Sequence, residues 1–443
     1  MAKIYYSRVD EFWRKGEKYT YLEEREHVGN VEWQELQPDA KHNWLTEGLR
    51  TEFESFIPAG TKEAKQAASQ GAKVIFKNFS TGLKTARDAV VYNFDEDVLL
   101  KSVERFCDSF NAEVFRYQQK GKPSDVDSFL AYDTIKWSRN LKRDLTLLKS
   151  ITCDKAKIRV GAYRPFTKEY LYFDDIIVDE LGRNGNIFPT PSTENENLII
   201  SLAGVGDRKG FGCLVTSKIA SLDFAFEKAQ CFPFYTYNED GTNRRENITD
   251  WALEKFRKHY KDSSITKWDI FHYVYALLHH AVYRERYAAN LKRELPRIPF
   301  APDFRAFADA GARLAEIHVH YEQQPEYPLE RIEQPGVALN WRVERMKLDK
   351  DKGSLHYNEF LTLARLPPEA FEYRLGNRSA LEWVIDQYRT TTDNRSGITN
   401  DPNRADDPSY IIRLVGQVIT VSLETVKIVR SLPTLGIEKL QEV

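Results

Sequence analysis

Cysteine is scarce in this chain and nowhere spaced for metal or disulfide chemistry. Cys107, Cys153, Cys213 and Cys231 are scattered over 443 residues. None forms a C-x-x-C pair, and no histidine pair completes a zinc pattern. Isolated thiols in so long a chain fit a reducing compartment. No apolar run reaches the ~18 residues a membrane span needs. Met1-Ala2-Lys3-Ile4-Tyr5-Tyr6 lacks the apolar segment of a secretory leader. Together these absences predict a soluble, cytoplasmic protein with no membrane partner. An excess of one charge sign is missing too. The 64 Lys and Arg are balanced by 66 Asp and Glu, for a net charge of -2. Any surface for a polyanion must therefore be a local patch.

The familiar catalytic signatures are also absent. There is no G-x-x-x-x-G-K-[ST], H-E-x-x-H or G-x-S-x-G. Gly204-Val-Gly206-Asp-Arg-Lys-Gly210 follows an apolar run, but its glycine spacing does not fit a dinucleotide loop. Phe211-Gly-Cys-Leu-Val-Thr216 comes next and reads as a strand, where a pyrophosphate site needs a helix N-terminus. A hairpin loop is the expectation, with Arg208 and Lys209 left open as phosphate contacts. Asp407-Pro408-Ser409-Tyr410 is the nearest match to an adenine-methyltransferase motif, but its polar upstream context makes it a helix start. His279-His280 and His318-Val-His320 have no third ligand nearby, so neither metal nor catalytic residues are assigned.

What is present is a foldable chain. Hydrophobic residues make up 42% and aromatics 13%, enough for a sizeable core and two or three domains. Strand candidates are Lys3–Tyr6, Val74–Phe76, Ala89–Tyr92, Tyr170–Phe173, Leu198–Leu202 and Gly212–Thr216. Val103, Phe106, Phe110 and Val114 lie on one face of a helix over Leu99–Gln118. Helices dominate from Thr249. Thr266 and Asp269 frame a capping box, and one helical face runs from Ile270 to Pro296. Trp341–Met346 and Ser354–Tyr357 flank a turn. Ser379 caps a further helix, and Pro408 opens the last, through Val429. The fold class is α+β: a mixed α/β region with a helix-rich C-terminal part that contains a small antiparallel sheet.

One segment departs from the even charge balance. Residues 134–168 hold ten cations, among them Arg139, Lys142, Arg143, Arg164 and Lys168, against Asp144 and Asp154 alone. Trp137, Tyr163 and Phe166 are interleaved. Neutralising DNA phosphates explains such an excess; acids supplied from elsewhere in the fold are the alternative. Bases are read by Arg, Asn and Gln at groove edges. Arg183 and Asn184 in one polar loop, and Arg244 in another, offer these groups, though both loops also suit ordinary turns.

Several blocks, in order along the chain, resemble the C-terminal part of type ISP restriction–modification enzymes. They include Ser7-Arg8-Val9-Asp10-Glu11-Phe12-Trp13-Arg14-Lys15, Asn43-Trp44-Leu45-Thr46-Glu47-Gly48-Leu49, Thr85-Ala86-Arg87-Asp88, and Tyr163-Arg164-Pro165-Phe166 with Tyr170-Leu171-Tyr172-Phe173. Gln230-Cys231-Phe232-Pro233, Asp269–Tyr275 and Tyr283–Tyr287 follow. The resemblance implies that residues 1–60 are the end of a methyltransferase domain plus linker. It makes 61–248 an α/β DNA target-recognition region and 249–443 its helix-rich C-terminal part. It implies double-stranded DNA as a partner, with a methyltransferase and translocase part in cis or as a separate chain. S-adenosylmethionine, ATP and magnesium belong to that other part, and no cofactor is expected for this chain alone. Phosphate contacts fall to Arg139, Lys142, Arg143, Arg164 and Lys168, and groove contacts to Arg183, Asn184, Arg208, Lys209 and Arg244. The aromatic blocks around Tyr275 and Arg284 are expected to pack rather than react. Two other readings stay open: an active adenine methyltransferase with unrecognised sites, and a structural partner of a restriction system that does not touch DNA.

Overall fold

Alternating burial sets the architecture. In the computed structural model, residues 3–10, 13–39, 42–66, 71–207 and 210–437 are described. They divide into two compact units, Met1–Thr51 and Glu52–Val443. In the first, strand Ile4–Tyr6 pairs antiparallel with Gln34–Leu36. The opening strand thus finds a neighbour within the chain. Helix Lys15–Arg25 buries no residue. Its first turn is held by Glu17, whose carboxylate accepts from the Arg14 N–H at 2.6 Å.

Among its described residues the second unit holds three four-stranded sheets. One runs Ser80–Thr81, Gln230–Pro233, Ile199–Leu202, Cys213–Thr216, antiparallel throughout. Successive strand residues face opposite sides, and here both sides are buried. Ile199, Leu214 and Cys231 face one core; Ile200, Leu202, Cys213, Val215 and Phe232 face the other. That is why these strands read as unbroken apolar runs. The loop Gly204–Gly210 joins two antiparallel strands of this sheet, so no helix N-terminus follows it. Arg208 and Lys209 lie outside the described residues.

The second sheet orders Ile219–Ala220, Ile158–Arg164, Thr167–Tyr172 and Tyr92–Asn93. Helix Glu96–Gln119 buries Val103, Phe106, Phe110 and Val114 in the same core. Its N-cap Asp95 accepts from the N–H groups of Asp97 and Val98. The third sheet, Glu330–Glu333, Leu361–Ala364, Ser354–His356 and Lys347–Leu348, is antiparallel. Helices Lys267–His279 and Phe304–Val319 form the aromatic second core, where Tyr275, Tyr283 and Tyr287 are fully buried. The expectation that these blocks pack holds.

Some local expectations gave way to tertiary partners. Val74–Phe76 forms no strand: Phe76 makes an isolated bridge to Ile248, and the N–H groups of Ile75 and Phe76 bond Pro58 and Ala59. Ala89–Val91 belongs to the helical turn Asp88–Val91, ahead of strand Tyr92–Asn93. Trp341–Met346 is not a strand, because the Asn403 amide holds both the N–H and the C=O of Val343. The helix expected to run to Pro296 breaks at His280, whose backbone is extended and whose Nε2 donates to the Pro433 carbonyl at 3.2 Å. The last helix starts at Tyr410, two residues beyond Pro408. No helix among the described residues is long and apolar enough to cross a membrane.

Candidate nucleic-acid interface

The basic segment folds as a short amphipathic helix followed by a hairpin. Helix Arg139–Thr146 buries Leu141, Asp144 and Leu145 and exposes Arg139 and Arg143. Ser138 caps it, accepting from the Leu141 N–H. The hairpin pairs Ile158–Arg164 with Thr167–Tyr172, and Phe166 at its turn takes φ 55°.

Acids from elsewhere in the fold answer most of the local excess. Lys142 pairs with Asp127, Lys155 with Glu96, Lys157 with Asp174, Arg159 with Glu194 and Lys168 with Glu322. Arg143 and Lys149 share Asp144, and Arg164 lies 4.0 Å from Asp88. Exposed pairs of this kind contribute only about 0–1 kcal/mol. The outer cations Lys142 and Arg143 can thus exchange a carboxylate for a phosphate at small cost; Lys168 gives up more, because its side chain and that of Glu322 are only 25% and 28% exposed. Arg159 cannot, because its side chain and that of Glu194 are buried. Lys136 and Arg139 have no ion-pair partner among the described residues.

The groove candidates are placed less favourably. Asn184 is fully buried, and its amide donates to the carbonyls of Leu181 (2.7 Å) and Thr81 (3.2 Å). An amide so engaged holds its own loop together and does not face a base. Arg183 donates to the Asn78 side chain and to the Lys65 carbonyl. With Arg245 and Tyr237 it lines a hollow of about 220 Å³. Arg244 stacks 4.7 Å over Tyr235 and pairs with Glu196 at an exposed edge.

The fold gathers a different set of cations around a cleft of about 500 Å³. Lys84, Arg87, Lys136, Arg164 and Arg395 line it, with Asp88, Asp223 and Asp393. Arg164 is pinned: its guanidinium donates to Ser221 Oγ at 3.0 Å and lies 4.0 Å over the Tyr163 ring. Arg395 comes from a hairpin, Thr391–Thr392 against Thr399–Asn400, some 200 residues beyond the basic segment. Sequence reasoning missed it. The available signal was Asp393-Asn394-Arg395-Ser396-Gly397, a turn-forming cluster between β-branched residues. It missed Lys84 and Arg87 as well, since each is an isolated cation outside the basic segment.

Beneath that hairpin, Glu169 is buried and accepts from the Asn400 amide at 3.0 Å. Burial pushes its carboxyl up to about 8 from 4.5. Between those values the unfolded chain ionises Glu169 while the folded chain keeps it protonated. Stability from this group is therefore full below pH 4.5 and falls as pH rises towards 8, by at most about 1.4 kcal/mol per pH unit. Glu169→Gln is expected to flatten that part of the pH profile. Urea midpoints across the window check it, and an unchanged slope in the variant would refute the assignment.

The cleft, the basic hairpin and most of both cores fall within one family signature. The model of the type ISP C-terminal specificity domain matches residues 74–414. This chain belongs to that family. Three solved structures resemble the specificity domain over nearly its whole length. A nuclease-deletion mutant of the type ISP restriction–modification enzyme LlaGI, in complex with a DNA substrate mimic, has a TM-score of 0.83 at 31% identity, covering 98% of this chain and 39% of that one. The DrdV–DNA complex gives 0.86 at 37% identity, covering 97% and 43%. The ATP-dependent type ISP enzyme LlaBIII bound to DNA gives 0.80 at 29% identity, covering 91% and 26%. The chain thus spans less than half the length of the structures it matches. No curated protein matches it.

Proposed function

We propose that this chain recognises a duplex DNA sequence as the specificity part of a type ISP restriction–modification system. One observation carries the reading: a specificity-domain signature over most of the chain, on a fold shared with enzymes solved on DNA. Phosphate contacts from Arg139, Lys142, Arg143, Arg164 and Lys168 set register, and Arg183 and Arg244 stand at the groove side. Asn184 is left out because its amide is buried. Adenine-N6 methylation, translocation and cleavage, with S-adenosylmethionine, ATP and magnesium, belong to a further part in cis or in a second chain. Residues 1–60 are proposed as the end of its methyltransferase domain, 61–248 as the recognition region and 249–443 as its helix-rich support. Among the described residues, seven of the fourteen exposed large hydrophobics, including Tyr5, Tyr19, Leu22, Val28 and Trp33, lie in Met1–Thr51. Such density in a short unit fits a surface that the methyltransferase part covers.

Fluorescence anisotropy of labelled duplexes with the full chain tests the reading. Combined Arg139→Glu, Lys142→Glu and Arg143→Glu is expected to weaken binding roughly tenfold or more at low salt. Unchanged affinity would favour a partner that docks without touching DNA. Methyl transfer by the purified chain alone would instead reveal an active methyltransferase.

A further inference from the structure

The cleft under the 391–400 hairpin contains a buried cation with no carboxylate in direct ion-pair contact among the described residues. Arg87 is 4% exposed. One of its terminal nitrogens donates to the Ile177 carbonyl, the other to Ser138 Oγ at 2.9 Å. Its Nε has no hydrogen-bond partner; among the described residues the buried Asp179 is the acid that acts on it, from beyond ion-pair distance and through the shared Ser138 hydroxyl. A buried charge without a direct ion pair is costly, so the position is suited to an anion that arrives from outside. Lys136 and Arg395 stand exposed at the same cleft, with no acid in ion-pair contact among the described residues.

The cleft's own acids are engaged. Asp393 accepts from both N–H and Oγ of Ser396 at 2.8 Å, Asp88 from the hydroxyls of Thr85 and Tyr163, and Asp223 from the Lys228 N–H. Arg395 is carried on a rigid support. Thr392 and Thr399 hydroxyls meet at 3.0 Å, and the ribbon's base is tied down by Asn93 on the Thr399 carbonyl and Asn400 on the Phe94 N–H. No Asn or Gln lines the cleft, so the amide pair that reads adenine is missing. Its volume takes a sugar–phosphate unit rather than a bare ion.

We infer that this cleft seats a backbone phosphodiester of the bound duplex, gripped by Arg395 from the hairpin and by Lys136, Arg164 and Arg87 from the opposite wall. The inference rests on the DNA reading above and deepens it: the site positions the duplex and does not read sequence.

The test uses the full chain, duplexes of several sequences, and a scan of single neutral methylphosphonates along each strand. Lys136→Ala and Arg395→Ala, both surface changes, are each expected to weaken every sequence alike. Each is expected to lower the slope of log affinity against log salt by about 1. One methylphosphonate position that weakens the wild type is expected to become silent in Arg395→Ala. Altered discrimination between sequences at an unchanged salt slope overturns the inference and makes Arg395 a base reader. So does unchanged binding. If the wild type binds no duplex, the DNA reading itself fails, and the cleft is then probed with inorganic phosphate by phosphorus NMR. Binding that Arg395→Ala abolishes would make it a free-phosphate site and overturn the duplex assignment alone. No binding overturns both.

Discussion

Gly311→Ala is expected to destabilise the fold by about 3 kcal/mol, the upper end of what overpacking costs. Gly311 sits inside helix Phe304–Val319 where it crosses Lys267–His279. A Cβ built there would lie 1.8 Å from the His272 carbonyl oxygen and 2.5 Å from its carbon. Carbon and carbonyl oxygen normally meet at about 3.3 Å, so the helices must separate by more than an ångström. His272 is mid-helix, and its carbonyl cannot swing aside as a flexible side chain would. Separation pulls Phe307 and Leu314 away from Ile270 and Val274 in the aromatic core. Helix propensity acts the other way, favouring alanine by about 1 kcal/mol, and is too small to compensate. Urea unfolding of the variant checks this, and wild-type stability would disprove the close approach.

Glu194→Ala is expected to cost a further class of energy, about 3–5 kcal/mol. The Arg159 side chain is 5% exposed and that of Glu194 4%. Arg159 Nε donates to Glu194 Oε1 at 2.8 Å, and Lys218 reaches Oε2 at 2.8 Å. Truncating Glu194 leaves a guanidinium in the core with the Phe188 carbonyl at 3.3 Å and the Phe173 ring, 5.7 Å away, in place of a carboxylate. The double variant Arg159→Met with Glu194→Leu is expected to recover most of the loss, since apolar replacement of both charges removes the desolvation cost. A double-mutant cycle on unfolding free energies measures the coupling. A loss below about 1 kcal/mol in Glu194→Ala would show that water reaches the pair. Arg159 is also a warning about charge counts, because it belongs to the basic segment and yet is sealed inside the fold.

Legibility followed the range of the signal. The helix over Leu99–Gln118, the capping boxes at Thr266 and Ser379, and the strands after Tyr170, Leu198 and Gly212 were readable because caps and periodicities are set by neighbours three or four residues away. Val74–Phe76 and Trp341–Met346 were not, because their backbone partners come from Pro58, Ala59 and Asn403. The break at His280 has no proline or glycine to announce it. In the basic segment, the cations were visible but their neutralisation was not.

By itself the amino-acid sequence determined the family, the α+β class, the apolar strands after Leu198 and Gly212 and the position of the cationic run. All of these depend on residue type and local spacing. The tertiary structure alone decided which cations face acids and which stand free. Lys142 meets an acid 15 residues away, and Lys168 one 154 residues away. It alone brought Arg395 over Arg87 and Lys136. Coulomb attraction acts through space and is indifferent to chain distance, so a charge pattern becomes a binding surface only once the chain has folded.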